Sequence, residues 1–225
     1  AGRGISLPSQ SSAGCAYTAR TSGAYARIRQ QFNIPIGKFE GIQEVLARLA
    51  GNAYLVDGAR RFTCAGLDLG HHPAVISGIM KLHATERMRE SVTHAMDIHG
   101  GKAIIDGPHN YLGNLYRSVP IGITVEGANI LTRNLIVFGQ GAIRSHPYIL
   151  KEMIALQEPD QEKALDEFDK VFWTHVGHAF ATLFRAWIRS WTGGLISPAP
   201  DAGTASKFYR QLPRYSASFA LLTDF

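Results

Sequence analysis

The chain has 225 residues, of which 45% are hydrophobic and 18% are charged, and its formal net charge is +5. This composition is typical of a globular protein that buries a sizeable core. Lysine and arginine are spread along the chain without basic runs, so the charge gives little support for nucleic-acid binding and fits the docking of an anionic cofactor or substrate equally well. No apolar run reaches the ~20 residues that are needed to span a bilayer.

The two cysteines, Cys15 and Cys64, form no metal-binding or redox motif at their spacing. We interpret them as reduced thiols and expect a cytoplasmic protein, with peripheral membrane association of the parent protein left open. The first residue is Ala1, and GRGISLPSQ does not resemble a natural beginning. We therefore expect this chain to be a piece of a longer protein.

Helical periodicity dominates the first half of the chain. A stretch rich in Ala and Ser predicts a helix over residues 9–30, and Pro35 and Gly37 indicate a loop over 33–37. The next helix is predicted by apolar residues at three- and four-residue steps, namely Ile42, Leu46, Leu49, Ala53 and Val56. Pro73 suits the start of a further helix, where its missing N–H costs nothing, and Gly100 and Gly101 are typical of its end.

A short helix around 112–118 and a long one from about 126 to 144 complete a set that we expect to pack as an antiparallel bundle. His146-Pro147 marks a predicted boundary between residues 1–146 and 147–225. After a short helix near 148–156, Asp160 begins the longest periodic stretch, which Thr192-Gly193-Gly194 ends. Its tryptophans are predicted to be core or interface anchors: Trp173, Trp187 and Trp191. The fold class that we predict is all-α.

Four segments carry the chemistry that the sequence predicts. In chain order they are YARIRQQFNIPIGKFEGIQ (25–43), DIHGGKAI (97–104), LYRSVPI (115–121) and ITVEGANILTRN (123–134). In this order and at these separations they resemble the C-terminal helical domain of the acyl-CoA dehydrogenases, which has R-x-Q-F-G, Q-x-x-G-G, Y-R-D and Y-E-G-T segments. The continuation from SHPYILKEM resembles the C-terminal extension of the long bacterial fatty-acyl-CoA dehydrogenases. The resemblance implies a four-helix bundle with an additional helical extension.

The resemblance also implies an activity. The family oxidises an acyl-CoA to the trans-2-enoyl-CoA with bound FAD, and Glu126 matches its base, which removes the proton beside the thioester carbonyl. Gly127 would keep the backbone clear where the substrate approaches. A carboxylate in the first turn of a helix is also favoured by the helix dipole, so the structural and chemical explanations of Glu126 coexist. The implied partners are a fatty acyl-CoA substrate, an acceptor of the electron-transfer flavoprotein type and further copies of the chain.

Seven positions match cofactor contacts of the family. Arg29 matches an arginine that reaches the FAD phosphate from the neighbouring subunit, and Gly100-Gly101 would let the backbone approach the adenine-diphosphate half. Phe32 matches a family aromatic, although an interhelical core role is an equal alternative. The full set is Arg29, Phe32, Asp97, Gly100, Gly101, Ala128 and Asn129.

Several of these positions depart from the family pattern. Asn33 replaces the Gly after Q-F, Asp97 replaces the Gln of Q-x-x-G-G, and Ala128 replaces the Thr after E-G. Glu40 stands where the family usually has Gln, so Glu40 and Asp97 add negative charge near a diphosphate. That charge should weaken FAD binding unless each carboxylate has a cationic partner. Arg3 falls near a family arginine at the thioester end of the substrate, but its spacing to Gly14 differs, and we assign it no role.

The nine histidines form no H-x-x-x-H pair backed by carboxylates, and no metal site is predicted. His175 and His178 are interpreted as surface or packing residues. Three alternatives to a dehydrogenase stay open. They are an acyl-CoA oxidase with the same base, a non-catalytic helical module for oligomerisation or docking, and a nucleic-acid-binding flavoprotein of this fold. The broad aromatic face of residues 165–191 motivates the second, and the high isoelectric point alone motivates the third.

Overall fold

The structure is a computed structural model that describes residues 2–224, excluding the side chains of Val137, Phe138, Ala142 and Ser145. Its contacts divide the chain into two compact units, Ala1–Gly139 and Gln140–Phe225. Each unit is helical, and the first also holds a two-stranded sheet. The predicted all-α class is therefore confirmed. Among the described residues, none of the helices combines the length and apolar character that crossing a membrane requires.

The first unit begins with a π-helical turn over Gly2–Ser6, which leads directly into the first α-helix. Its α-helices are α1 (Leu7–Ile28), α2 (Glu40–Asp68), α3 (Ala74–His99), α4 (Gly101–Ile104), α5 (Gly113–Thr124) and α6 (Asn129–Leu131). A π-helical segment, Thr132–Gln140, continues from α6. The long helix from 126 is thus observed from Asn129 only, and the helix predicted at 112–118 extends to Thr124.

One apolar core joins α1, α2, α3 and α5 into a four-helix bundle. Its buried members are Cys15, Val56, Met80, Ala84, Met88, Val92, Val119 and Ile123. The connections from α1 to α2 and from α2 to α3 are short, which favours antiparallel neighbours. The third helix begins after Pro73 and ends at Gly100, whose φ of 57° is a left-handed conformation that favours glycine. Both predicted ends of this helix are therefore confirmed.

A tight hairpin connects α1 to α2, where the sequence predicted a loop. Strand β1 (Gln30–Gln31) pairs antiparallel with β2 (Ile34–Pro35), and a 3₁₀ turn over Ile36–Lys38 follows. The two turn residues, Phe32 and Asn33, have φ values of 53° and 63°. Two positive φ angles between paired strands are the signature of a type I′ turn. This conformation explains Asn33, because asparagine tolerates left-handed backbone better than most residues.

The second unit contains α7 (Gly141–Ser145), α8 (Ile149–Ala155), α9 (Gln161–Trp191) and α10 (Ser206–Asp224). Asp160 caps α9, since its side chain accepts hydrogen bonds from the backbone N–H groups of Glu162 and Lys163. Positive φ angles at Gly193 and Gly194 accompany its end, as predicted. The sequence analysis did not predict α10. The sequence analysis predicted that Trp173, Trp187 and Trp191 lie in the core or at an interface. The core location is wrong, because all three side chains are exposed.

Candidate functional site

Glu126 lies in a sharp turn before α6 and not in the first turn of a helix. Its φ is 56° and that of Gly127 is 87°, and both values belong to the left-handed region. Ala128 is extended (φ −52°, ψ 144°) and is the N-cap of α6. Two non-helical residues, Gly127 and Ala128, therefore separate Glu126 from the helical backbone. The sequence-based explanation through the first helical turn is wrong, because a left-handed residue cannot belong to a right-handed helix.

A buried lysine of α3 holds this turn. The side chain of Lys81 is fully buried, and its ammonium Nζ donates to the carbonyl oxygens of Ile123 (2.9 Å) and Gly127 (2.8 Å). The third contact is with Asn129 Oδ1 at 2.7 Å. An ammonium has three N–H donors, so each of them finds an oxygen. The carbonyl of Ile123 is also one of the unpaired carbonyls at the end of α5, where a positive charge is favourable.

The neighbouring polar groups complete a network around the turn. Asn129 is 4% exposed, and its Nδ2 donates to Thr85 Oγ1 (3.0 Å) and Glu86 Oε1 (2.8 Å). Thr132 Oγ1 donates to the carbonyl oxygen of Gly127 at 3.1 Å. The side chain of Asn129, predicted as a cofactor contact, is thus occupied by partners within the chain.

Glu126 borders a cavity of about 420 Å³ in the first unit. The opposite lining comes from the N-terminal segment, the end of α2 and the start of α3. The polar residues of the lining are Arg3, Thr63, His72, Ser77 and Glu126. Glu126 itself is exposed. An arginine in the lining of the same cavity can pair with an anionic or carbonyl oxygen next to the base.

The predicted phosphate contacts lie at the other end of the bundle. Ala26, Ile36, Leu49 and Ile98 form a second apolar cluster, which packs the end of α1 and the hairpin against the end of α3. The ring of Tyr25 stacks on that of His99 at 4.3 Å. Arg29 and the hairpin therefore lie at the same end of the bundle as Gly100 and Gly101.

The groups at this end are open to a ligand. Phe32 is 88% exposed, so the alternative that it is an interhelical core residue is wrong. Arg29, Gly100 and Gly101 are exposed as well, and a Cβ atom on either glycine would meet nothing within 4 Å. Asp97 and Glu40 are exposed, and among the described residues neither forms an ion pair.

A buried histidine supports the second end. His99 Nδ1 contacts the carbonyl oxygen of Ala95 at 2.7 Å, and a carbonyl can only accept, so this nitrogen carries the proton. Its Nε2 therefore accepts from the hydroxyl of Tyr111 at 2.5 Å. Burial lowers the pKa of His99, which favours this neutral form.

The two sets of predicted residues are separated along α3. Lys81, which holds the Glu126 turn, and Gly100, which ends the helix, are nineteen residues apart in the sequence. At 1.5 Å per helical residue this is a distance of about 28 Å. The predicted base and the predicted phosphate contacts of one chain therefore form two separate surfaces.

The second unit contains a histidine cluster that the sequence analysis did not connect. His175 Nδ1 donates to Glu152 Oε1 (2.7 Å) and its Nε2 donates to Asp224 Oδ1 (3.3 Å). Two donating nitrogens require the protonated ring. Burial lowers the pKa of His175, but the hydrogen bonds to Glu152 and Asp224 outweigh it, so its pKa is raised above the usual value.

His146 joins the same cluster as a neutral ring. Its Nδ1 accepts from the backbone N–H groups of Tyr148 and Ile149, each at 3.2 Å, and its Nε2 donates to Asp224 Oδ1 at 2.6 Å. His146, His178 and Asp224 hold ligand-type atoms within 4.8 Å of one another. Because both ring nitrogens of His146 are engaged in hydrogen bonds, this ring offers no free lone pair to a cation.

Sequence reasoning missed three residues around Glu126. Lys81 carries a detectable signal, because it lies three residues after Gly78 and four before Thr85, in phase with the buried side of α3. Arg3 was noticed and set aside because of its spacing, and the structure places it in the Glu126 cavity. His72 directly precedes Pro73, and only the packing of the chain brings it into this cavity.

Two family models match the chain. The model of the acyl-CoA dehydrogenase C-terminal domain matches residues 5–139, and that of the bacterial-type acyl-CoA dehydrogenase C-terminal region matches residues 143–225. Together they cover both compact units.

Solved structures of this fold resemble the chain at low sequence identity. An acyl-CoA dehydrogenase from Geobacillus kaustophilus has a TM-score of 0.56 and 19% identity, and the match covers 60% of this chain and 34% of that one. Butyryl-CoA dehydrogenase from Megasphaera elsdenii has a TM-score of 0.54 and 22% identity, and the match covers 61% of this chain and 35% of that one. An FAD complex of PigA has a TM-score of 0.55 and 21% identity, and the match covers 60% of this chain and 34% of that one. The matched part spans about a third of each of these proteins. From the family models we conclude that the chain belongs to the acyl-CoA dehydrogenase family, of which it represents the C-terminal region.

Proposed function

We propose that this chain is the C-terminal part of a flavin-dependent acyl-CoA dehydrogenase that oxidises fatty acyl-CoA to trans-2-enoyl-CoA in fatty-acid β-oxidation. The observation that carries the proposal is the turn at Glu126. A carboxylate in a left-handed conformation, anchored by a buried lysine and bordering a cavity with an arginine, is a costly arrangement. Family membership supplies the activity that such a carboxylate serves. The catalytic domain in this proposal is 1–146, and 147–225 is its helical extension.

Glu126 acts as the base in this proposal. The proton beside a thioester carbonyl is weakly acidic, so the base must be held against it at a fixed position. Glu126 lines the cavity from a turn whose backbone is left-handed at 126 and 127, and in this proposal Gly127 keeps the backbone clear where the thioester approaches. Arg3, in the same lining, would attract the negative charge of the substrate that develops during proton removal.

The residues at the other end of the bundle fit FAD. The exposed guanidinium of Arg29 suits phosphate oxygens, the exposed ring of Phe32 suits a planar ring, and the exposed backbone at Gly100-Gly101 allows close approach. Asp97 is a further proposed contact at this end, whereas Ala128 and Asn129, which lie beside Glu126, are proposed contacts at the Glu126 end, Asn129 through its backbone. Bound FAD would accept the hydride from the carbon next to the deprotonated one.

The separation of the two surfaces supports a homo-oligomer. Because the Glu126 turn and the Gly100 end of α3 lie about 28 Å apart, we assign them to two different flavins, each shared between protomers. For reoxidation we propose an acceptor of the electron-transfer flavoprotein type and a cytoplasmic location. An oxidase of the same fold would instead release peroxide on turnover, which a peroxidase-coupled assay detects.

The test is the variant Glu126→Gln in the complete enzyme, with Glu44→Gln on the surface of α2 as the matched control. We expect Glu126→Gln to retain FAD and to abolish flavin bleaching by acyl-CoA, because the amide cannot accept the proton. Glu44→Gln should bleach at the wild-type rate. Normal bleaching in Glu126→Gln would remove this residue as the base and with it the proposed function.

A docking role of the second unit is a second candidate, since α9 exposes a broad aromatic face. The exposed apolar residues of α9 are Leu165, Phe172, Trp173, Phe180, Leu183, Phe184, Trp187 and Trp191. Exposed apolar area of this kind typically marks an interaction site. If residues 140–225, expressed alone and shown to be folded, remain monomeric and bind neither vesicles nor the rest of the enzyme, this candidate fails.

A further inference from the structure

We propose that Lys81 is a positioning residue for the base: its ammonium fixes the backbone turn that presents Glu126 to the substrate. The inference rests on the proposed function of Glu126. It goes beyond that function because it assigns the accuracy of proton removal to a residue that touches neither substrate nor cofactor.

The burial of Lys81 shows that the residue has a specific task. Lysine is almost never fully buried unless all of its N–H groups are paired, because burial removes its charge from water. Here the three partners of Nζ are two carbonyl oxygens and one amide oxygen, at 2.7–2.9 Å. No carboxylate lies within ion-pair distance of Lys81 among the described residues. The ammonium is therefore matched to backbone geometry and not to a salt bridge.

The three partners bracket the base along the chain. Ile123 lies three residues before Glu126, Gly127 lies directly after it, and Asn129 lies three residues after it. One ammonium thus ties both sides of the turn to α3. Thr132, whose hydroxyl donates to the same Gly127 carbonyl, adds a second anchor.

The charge of Lys81 is necessary for this role. A neutral amine has two N–H groups and a lone pair, so one of the three oxygens would face a lone pair and be left unpaired. Burial lowers the pKa of Lys81, while attraction to Glu86 and Glu126 opposes this shift and Arg3 adds to it. These are the charged groups that act on the ammonium. The geometry matches the cation, because each of its three N–H groups has one oxygen partner in or next to the turn.

The experiment compares Lys81→Met with wild type in the complete enzyme. Methionine keeps the volume of the side chain and removes the donors. We expect FAD to stay bound, the KM for acyl-CoA to change by less than about twofold, and the rate of flavin bleaching at saturating substrate to fall about 100-fold, as a misplaced base predicts. Lys170→Met, an exposed lysine of α9, is the matched control and should behave as wild type.

Hydrogen–deuterium exchange gives a readout that does not depend on activity. In Lys81→Met the amides of residues 123–132 should exchange faster, while those of α1 keep their protection. Wild-type bleaching and unchanged exchange in a folded Lys81→Met protein would overturn the proposal. A rate that falls only together with loss of FAD or a general rise in exchange would also overturn it, because it would indicate a purely structural lysine.

The outcome is separable from the test of Glu126. If Glu126→Gln bleaches normally, the proposed function fails, whatever Lys81→Met does. If Glu126→Gln is inactive and Lys81→Met is not impaired, only the positioning role fails. Should Lys81→Met not fold, Lys81→Gln tests the same turn, because its neutral amide offers at most two of the three N–H donors and removes the charge. A wild-type rate and unchanged exchange in that variant would overturn the proposal.

Discussion

At the scale of single residues, Glu126 and Gly127 both have a left-handed backbone conformation, which is unusual for the glutamate. A non-glycine residue in the left-handed region costs about 1–2 kcal/mol. Glu126 accepts this cost at φ 56°, and Gly127 avoids it at φ 87°. The hydrogen bonds of Lys81 and Thr132 to the Gly127 carbonyl offset the strain. The turn is therefore a small strained element that buried polar groups stabilise.

A substitution at Gly127 tests whether the backbone of this turn is strained for residues other than glycine. We expect Gly127→Ala to lower the free energy of unfolding by about 1 kcal/mol or more, because alanine disfavours a positive φ. The space around a Cβ at 127 is sufficient, since its nearest neighbour would be Thr132 Oγ1 at 3.4 Å. The measurement is urea unfolding followed by circular dichroism.

Gly58 provides the control for this substitution. It lies within α2, and a Cβ there would meet nothing within 4 Å. Gly58→Ala should stabilise the protein by about 0.5–1 kcal/mol, because alanine is the better helix former. Equal effects of the two alanine substitutions would contradict the assignment of strain to residue 127.

At the scale of elements, two helices organise the polar groups. Helix α3 carries Lys81 near its start and His99 at its end, so one rigid element supports both candidate surfaces. In the second unit, Asp224 at the end of α10 accepts from His146 and from His175 of α9. Asp224 thus ties α10 to α9 and to the segment before α8.

The stabilisation of the second unit by the hydrogen bonds of His175 should depend on pH. The raised pKa of His175 means that the folded state binds its proton more tightly than the unfolded state. The stabilisation by His175 is complete below about pH 6.5, the ordinary pKa of histidine, and is lost as pH rises through the higher pKa of the folded state. We expect the difference in unfolding free energy between wild type and His175→Gln to shrink from pH 6 to pH 9.

The comparison with His175→Gln is needed because the pKa values of two other histidines are shifted in the opposite direction. Burial lowers the pKa of His178 and of His99, so their contributions are present at higher pH and are lost as pH falls. Both remain in the variant, so the contribution of His99 cancels in the difference, and that of His178 cancels except for the part that arises from the charge of His175. A difference that grows with pH would show that His175 is not stabilised as a cation.

At the scale of the whole molecule, the chain presents two incomplete surfaces. Glu126, the proposed base, and its cavity belong to one end of the bundle, and Arg29, the hairpin and Gly100-Gly101 belong to the other. In a symmetric dimer each surface meets its complement from the partner, so two equivalent composite sites would form. The same geometry explains why a single chain with all of these residues would not hold one complete site.

Complementation between variants tests the composite sites. Chains with Glu126→Gln and chains with Arg29→Gln are each expected to be impaired in homo-oligomers, the second through weaker FAD retention. Co-expression should restore flavin bleaching, because half of the sites in a mixed dimer combine an intact Glu126 with an intact Arg29. The control is to mix the two purified proteins without subunit exchange. No recovery in verified mixed dimers would show that Glu126 and Arg29 of one site come from the same chain, and would contradict the composite sites.

Much of this protein follows from its sequence alone. Periodicity and punctuation by Pro73, Gly100 and Asp160 determine the principal helices, because helix ends depend on local backbone chemistry that each residue carries with it. The order of four short segments indicated the family, and the family models confirm it.

The tertiary structure alone decided the environment of the base. The left-handed turn at Glu126, the presence of Arg3 in its cavity and the three hydrogen bonds of Lys81 join residues more than 40 positions apart in the chain. No local pattern encodes such contacts, since they depend on how α3, α5 and the N-terminal segment pack. The same holds for α10 and the histidine cluster, where Asp224 acquires its role only through partners 49 and 78 residues away.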